Sequence, residues 1–371
     1  MILVLNCGSS SLKYALFRPG GVQRHGNVEQ IGEPGGPSDH AEALRSVADQ
    51  LALHDPGLRA VGHRVVHGGT RFREPALIDD AVIAAIRELV PLAPLHNPAN
   101  LTGIEAARAE RPDVPHVAVF DTAFHTTLPD SAATYAIDAS LAQRYGVRRY
   151  GFHGTSHRYV AGRTAALLGR RLEDLHLIVL HLGNGASATA IAGGRSVDTS
   201  MGLSPLEGLV MGTRCGDLDP AIPAHLHRLA GLTIEDIEEL LWHRSGLAGL
   251  CGENDMRTVL ARRTSGDPAA TLAFDTYCHR IRRYVGAFHA VLGRLDAIAF
   301  TAGVGEHAAP VRATSLAGLE SWGIVVDPER NATDDGRARL ISPDGARVAV
   351  CVVPTDEEAA IAEEVAALLP E

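Results

Sequence analysis

The chain opens on an apolar run over residues 2–5, breaks at a polar turn cluster over 8–11 and resumes an apolar stretch over 12–17. This pattern reads as strand, turn, strand. Helical periodicity follows near 40–53, 79–90 and 98–110. Strand-like runs recur at 60–66 and 116–120, and the second ends in Asp121, where a parallel strand meets a crevice. Further on, a long helical stretch near 267–293 precedes a strand over 297–301 and the segment Ala302-Gly303-Val304-Gly305-Glu306-His307. A last strand over 348–353 leads through Pro354-Thr355-Asp356-Glu357 into a C-terminal helix. Strands alternating with helices predict an α/β fold.

The most informative organisational signal is an internal echo. Leu3-Val4-Leu5-Asn6-Cys7-Gly8 recurs as Ile178-Val179-Leu180-His181-Leu182-Gly183, and Tyr14-Ala15-Leu16 is matched by Thr189-Ala190-Ile191. Each copy reads as strand, polar glycine loop, strand, and the separation is close to half the chain. The duplication predicts two like lobes, each aiming a glycine loop at a shared cleft suited to a nucleoside triphosphate. Short strand-turn echoes are also common among unrelated α/β proteins, so the motif alone leaves both readings open.

With 371 residues, 46% of them hydrophobic, the chain can bury a sizeable core, and its length favours two domains. A net charge of −10 without a basic stripe argues against nucleic acid or an anionic membrane as partner. No apolar run approaches the roughly 20 residues needed to span a bilayer. The apolar start is too short for a secretory signal, and five dispersed cysteines suit reduced thiols, so a cytoplasmic location is expected. Of the 34 Lys plus Arg residues only Lys13 is a lysine. A lone ammonium among guanidinium forks marks a site where the fork does not fit. Flanked by Leu12 and Tyr14, Lys13 serves neither the Gly-Lys-Ser/Thr phosphate loop nor the protein-kinase strand lysine, which removes both superfamilies.

Three glycine loops offer backbone N–H groups to phosphate: Gly8-Ser9-Ser10-Ser11 with Lys13 nearby, His181-Leu182-Gly183-Asn184-Gly185, and Gly303-Val304-Gly305-Glu306, expected to follow a strand and precede a helix. Asn184-Gly185 is equally a favoured hairpin turn. Arg64 lies in an otherwise apolar strand, where a buried charge costs several kcal/mol unless paired. Arg214, in Gly212-Thr213-Arg214-Cys215-Gly216, is placed to approach a ligand closely. Each arginine is also explained by an internal carboxylate. Asp121 and Glu357 are candidates for metal-water work or for pairing with those arginines. His153 and His157 are four apart, but Gly154 between them predicts a loop rather than a helical zinc pair.

Together these segments resemble the acetate kinase family, in the acetate and propionate kinase branch of the two-lobed actin-like phosphotransferases. The resemblance runs through the loop from Asn6 to Lys13, His63-Arg64-Val65-Val66-His67-Gly68-Gly69, Ala93-Pro94-Leu95-His96-Asn97-Pro98 and Phe120-Asp121-Thr122-Ala123-Phe124-His125. It continues through residues 150–157, 181–185, 205–208, 211–216, 303–306 and 354–358.

The resemblance implies a duplicated, ribonuclease H-like α/β fold with lobes 1–123 plus 359–371 and 124–358, and an ATP and substrate cleft between them. It implies reversible transfer of the ATP γ-phosphoryl group to acetate, with Mg²⁺ or Mn²⁺ held through Asn6 and Glu357. Asp121, His153 and Arg214 would be catalytic. Arg64, Val66, Leu95, Phe152 and Pro205 would bind the acid. Lys13, His181, Leu182, Gly183, Asn184, Gly185, Asp255, Met256, Arg257, Gly303, Val304, Gly305, Glu306 and His307 would contact ATP or ADP. A homodimer is implied as well. A carboxylate nucleophile with a pKa near ~4 is already ionised at pH 7, so Asp121 is assigned to metal or substrate orientation rather than proton abstraction.

Cys7 stands where the family has alanine, His307 and Asp356 where asparagine is usual, and the stretch near 18–58 is short. His307 bears on nucleotide preference, and Asp356 adds charge beside Glu357. The alternatives are propionate or another short acid as substrate, a sugar kinase on the same fold, and an actin- or chaperone-like ATPase. The last would need a further partner-binding domain.

Overall fold

A computed structural model describes residues 1–8, 10–18, 21–48, 53 and 55–369, the side chain of Gln23 excepted. Ser9 of the first glycine loop, residues 49–52 of the expected 40–53 helix, and the last two residues lie outside the described residues. The chain divides into two compact units. The first comprises Met1–Thr126, Phe152–Tyr159 and Asp356–Glu371, and the second Thr127–Gly151 and Val160–Thr355.

The sheet of the first unit has the order β3-β2-β1-β4-β6-β5, built from β1 (Ile2–Cys7), β2 (Leu12–Arg18), β3 (Gly21–Val28), β4 (Ala60–Val65), β5 (Ala76–Leu77) and β6 (His116–Phe120). The second has the order β11-β12-β10-β7-β8-β9, from β7 (His176–Leu182), β8 (Ala186–Ala192), β9 (Arg195–Thr199), β10 (Ala297–Thr301), β11 (Arg339–Leu340) and β12 (Ala349–Val352). Read from the meander edge, the two orders are identical. Each has an antiparallel three-strand meander, two further parallel strands and a short antiparallel edge strand. The echo between residues 3–8 and 178–183 is therefore β1 against β7, and the fold is the duplicated actin-like α/β architecture.

Both faces of the first sheet are covered, which is why its parallel strands are continuous apolar runs rather than alternating ones. On one face Val4, Val117 and Val119 pack against Ile361 and Val365 of the helix Glu357–Leu368. Burying each such side chain contributes roughly 1.5–3 kcal/mol. Gly62 in β4 permits that contact, since a Cβ there would lie 2.8 Å from Val365 Cγ2. On the other face Leu3, Leu5, Cys7 and Leu16 pack with Ala107 of the helix Asn97–Glu110. A Cβ on Gly103 would lie 2.1 Å from Cys7 Sγ, so the glycine makes room for the thiol at that position.

Three expectations are corrected. The described helix near 40–53 is His40–Ser46, capped by Asp39. Gly303-Val304-Gly305-Glu306 is not a loop ahead of a helix but the body of the helix Ala302–His307, which starts directly on the extended Thr301. His153 and His157 do not share a loop: Gly154 opens the helix Gly154–Leu167. It does so because a Cβ at Gly154 would sit 2.2 Å from the Asp121 carbonyl oxygen, to which its own N–H donates at 2.9 Å. β3 was missed because its sequence, Gly-Val-Gln-Arg-His-Gly-Asn-Val, has no apolar alternation to signal an edge strand.

Buried imidazoles make the first unit acid-sensitive. His63 and His116 meet at 2.9 Å between Nε2 and Nδ1, and His116 Nε2 lies 2.9 Å from the Arg111 carbonyl oxygen. That carbonyl accepts from His116 Nε2–H, so Nδ1 accepts from His63 and both rings are neutral. Burial lowers the pKa of both, and burial holds His67 and His125 at about 4. An unfolded chain takes up these protons near pH ~6.5 while the folded one does not. Stability is thus complete above that pH and lost as the pH falls toward 4, by up to roughly 3 kcal/mol for a shift like that of His125. Urea midpoints measured from pH 8 to pH 4 are expected to drop through this window, and a flat profile would contradict it.

Candidate functional site

In the first unit the parallel strands β1, β4 and β6 bring their carboxyl ends together, the usual place for ligands in an α/β sheet. β1 ends with Asn6 and Cys7, β4 carries Arg64, and Asp121 follows β6, its N–H donating to the Val65 carbonyl oxygen. Arg64 Nε lies 3.1 and 3.0 Å from the two Asp121 carboxylate oxygens, and Nη2 donates to Oδ2 at 2.6 Å. Glu357 Oε2 is 3.9 Å from Arg64 Nε. Asp121 is 2% exposed. Burial raises its carboxyl pKa, while Arg64 and the Thr155 hydroxyl pull the other way. Burial would lower the Arg64 pKa, but the Asp121 and Glu357 carboxylates outweigh it and hold the guanidinium protonated. Arg64 thus stands as a cation between two carboxylates.

Buried amides hold the backbone around that cluster. Asn100 accepts from the Val66 N–H at 3.0 Å and donates to the Cys7 carbonyl at 2.8 Å, tying the ends of β1 and β4 together. Asn97 accepts from the His67 N–H and donates to its carbonyl, each at 3.1 Å. Thr122 Oγ1 accepts from Gly68 N–H at 2.9 Å. Sequence reasoning missed Asn100. Its signal was an asparagine on the buried face of a helix, where a polar group needs partners.

His153 sits at φ 57°, a left-handed conformation uncommon outside glycine, at the turn before Gly154. Phe152 is 1% exposed and meets the His67 ring edge-on at 5.6 Å between centroids. Val66 is half-buried, and Leu95 is 51% exposed. Lys13 lies on β2 directly opposite Asn6, its side chain in solvent. Asp356 caps the C-terminal helix by accepting from Ala359 N–H at 2.8 Å, and Glu357 is the first residue of that helix. The carboxylate at 356 therefore acts as a cap.

In the second unit a pocket of about 670 Å³ is lined by Gly183, Asn184, Asp255, Met256, Arg257, Gly303, Val304 and His307, together with Leu247, Asn254, Leu260, Tyr277 and Ala308. Its size suits a small organic ligand. Eight of the residues expected at the nucleotide are thus brought together. His181, Leu182, Gly185, Gly305 and Glu306 are not among its walls but belong to the strand, turn and helix that carry them. His181 pairs with Thr301 across β7 and β10, and Gly183 N–H donates to the Gly185 carbonyl at 3.0 Å. Glu306 accepts from Thr355 N–H at 3.1 Å. Arg312, 1% exposed, donates to the carbonyls of Gly305 and Glu306 at 2.9 and 2.8 Å, and so fixes the turn that carries Gly303 and Val304. Arg257 is paired with Asp255, and His307 Nδ1 donates to Asp334 at 2.9 Å. Tyr277 is one of the wall residues the sequence did not flag, because at its helical position it reads as plain core. Its phenolic oxygen has no hydrogen-bond partner among the described residues.

Arg214, also in the second unit, contrasts with Arg64. Its Nη1 donates to the carbonyl of the buried Pro205 at 3.1 Å, and its guanidinium carbon stands 5.2 Å from the centroid of the Trp242 ring. Among the described residues no carboxylate lies within ion-pair distance of it, and burial lowers its pKa. A partly desolvated cation without a counter-ion is a place for an anion to bind. The first unit therefore carries an arginine held between two carboxylates, and the second carries both a guanidinium without a carboxylate partner among the described residues and a pocket of about 670 Å³.

The chain matches the model of the Acetokinase family over residues 1–363. An acetate kinase of Streptomyces avermitilis is 58% identical over 393 aligned positions, spanning 99% of this chain and 97% of that protein. An acetate kinase of Leifsonia xyli is 55% identical over 98% of this chain and 97% of its own length. Among solved structures, Porphyromonas gingivalis acetate kinase matches with a TM-score of 0.94 at 41% identity, covering 100% of this chain and 99% of that one. A propionate kinase from Francisella tularensis matches with a TM-score of 0.91 at 40% identity over 98% of both chains.

Proposed function

This chain belongs to the acetokinase family, and on that premise we propose that it transfers the γ-phosphoryl group of ATP reversibly to acetate, forming acetyl phosphate and ADP. The observation that carries the mechanism is Arg214, a guanidinium that no carboxylate of its surroundings neutralises. Phosphoryl transfer through a loose transition state asks for alignment and charge stabilisation more than covalent help. Arg214 and His153 supply donors to the oxygens of the transferring group. The pocket around Gly183, Asp255, Gly303 and His307 holds the nucleotide. Because acetate is already ionised, Asp121 acts by fixing Arg64 through Nε and Nη2, leaving Nη1 of Arg64 as the donor edge for the acid.

The donor set fits Mg²⁺. Asp121 has both oxygens engaged by Arg64, so the ion is assigned to the Glu357 carboxylate, 21% exposed, and the Asn6 amide. Among the described residues no group of three His, Cys, Asp or Glu forms a cage for a metal ion. That suits an ion held by few protein ligands and completed by water and phosphate. When bound, Mg²⁺ would neutralise charge on the phosphates.

No helix among the described residues is long and apolar enough to cross a membrane. A cytoplasmic homodimer is the proposed setting, in line with the family and with exposed Leu229 and Ile234.

The test is to trap acyl phosphate as hydroxamate with formate, acetate, propionate and butyrate. Acetate is expected to give the highest kcat/KM, with propionate within about 10- to 200-fold of it because one methylene discriminates weakly. ATP turnover without hydroxamate from any acid would overturn the proposal, and propionate ahead of acetate would move it to the neighbouring substrate.

A further inference from the structure

We propose that Trp242 is a positioning residue for Arg214, its indole face setting the plane of the guanidinium so that the in-plane N–H donors stay open to an oxyanion. The inference rests on the role given to Arg214 above.

Arg214 Cζ lies 5.2 Å from the Trp242 ring centroid, within the range of a cation–π contact. The backbone holds the two side chains in this relation. Trp242 is in the last turn of the helix Ile234–His243, whose start is secured by a reciprocal cap between Thr233 and Asp236. On one side of Arg214, Thr213 Oγ1 donates to the Trp242 carbonyl at 2.9 Å; on the other, Cys215 N–H donates to the Leu241 carbonyl at 3.1 Å. Beyond the helix, Ser245 N–H donates to Thr213 O and Leu247 N–H to Met211 O, each at 2.9 Å. Gly246, at φ +60°, allows this approach, since a Cβ there would lie 2.2 Å from the Met211 carbonyl oxygen.

The choice of an aromatic partner has an electrostatic consequence. Where Arg64 is steadied by Asp121, the carboxylate takes up Nε and Nη2 and cancels the charge. A ring face attracts a cation through its π-cloud rather than through a charged oxygen acceptor, so the indole steadies Arg214 and leaves its charge uncancelled. The Pro205 carbonyl at 3.1 Å and the Met211 sulfur at 3.8 Å take up Nη1, which leaves the Nε and Nη2 donors for a phosphoryl or carboxylate oxygen.

Trp242 and Trp322 are the chain's two tryptophans, so the full-length Trp322→Phe enzyme reports on Trp242 alone. Titrating it with acetyl phosphate, and separately with inorganic phosphate, is expected to change its fluorescence, and adding Arg214→Ala is expected to abolish that change. In the wild-type background Trp242→Leu is expected to lower kcat about 10- to 100-fold, as a misplaced catalytic group does, with the KM for ATP within about threefold. Trp242→Phe, which keeps a ring face, is expected to restore most of the rate. Trp242→Leu with wild-type kcat, or a fluorescence response that survives Arg214→Ala, would overturn the proposal. Should Trp242→Leu fail to fold, the fluorescence arm and Trp242→Phe still decide it. If the wild type itself makes no acyl phosphate, the proposed function fails. If it does and Trp242→Leu matches it, only the positioning role fails.

Discussion

Replacing Arg214 with alanine is expected to lower kcat about 10³-fold, with little change in the KM for ATP. In the proposed reaction the guanidinium is offered to charge on the transferring group, and removing one such preorganised donor in a partly desolvated site typically costs about 10²–10³ in rate, more for an arginine at a phosphoryl group. The pocket proposed for the nucleotide, lined by Gly183, Asp255 and Gly303 among others, does not include Arg214, so ground-state ATP binding is expected to be spared. Folded stability is also expected to be spared, because Arg214 has no ion-pair partner among the described residues to strand. Initial-rate kinetics with calorimetry check both halves. A kcat within tenfold of wild type would remove Arg214 from the mechanism.

Asp121→Ala is expected to behave in the opposite way, costing about 3–5 kcal/mol of stability in the first unit as well as activity. Breaking a buried pair strands the surviving charge. Arg64 would be left with Glu357 at 3.9 Å in place of three contacts to Asp121 between 2.6 and 3.1 Å. Asp121→Asn keeps the shape and one acceptor, and should lose less stability. Arg64 would also drift from its set orientation, so the KM for the acid should rise well beyond that for ATP. Urea unfolding and steady-state kinetics measure these effects. A neutral Asp121→Ala would mean that the Arg64 pair is dispensable.

The contrast between the two arginines marks where sequence reasoning stops. Both stand in glycine-bearing segments, and both are compatible with an internal carboxylate. The structure gives one to Arg64 and withholds it from Arg214. Asp121 reaches Arg64 across 57 positions because β4 and β6 lie side by side in register, Arg64 opposite Val119. Trp242 reaches Arg214 because a helix end is stitched to a loop. Neither contact has a local periodicity to announce it. Asn100 was missed for the same reason: its partners, Cys7 and Val66, come from two other elements. The edge strand β3 was missed for a different one, since a strand without a buried face carries no hydrophobic alternation.

With Asp255, Met256, Arg257 and His307 supplied by the family resemblance alone, the sequence by itself determined the alternation of strands and helices, the duplication heralded by residues 3–8 and 178–183, and the glycine segments that bring Gly183, Asn184, Gly303 and Val304 to the pocket. These are local properties: apolar runs encode buried strands, and glycines mark the turns where backbone must approach closely. Only the tertiary structure decided which cation is neutralised and which stays open. That depends on strand register and helix docking between residues far apart in the chain, and a guanidinium with a carboxylate beside it is a structural cation while one on an indole face remains available for chemistry.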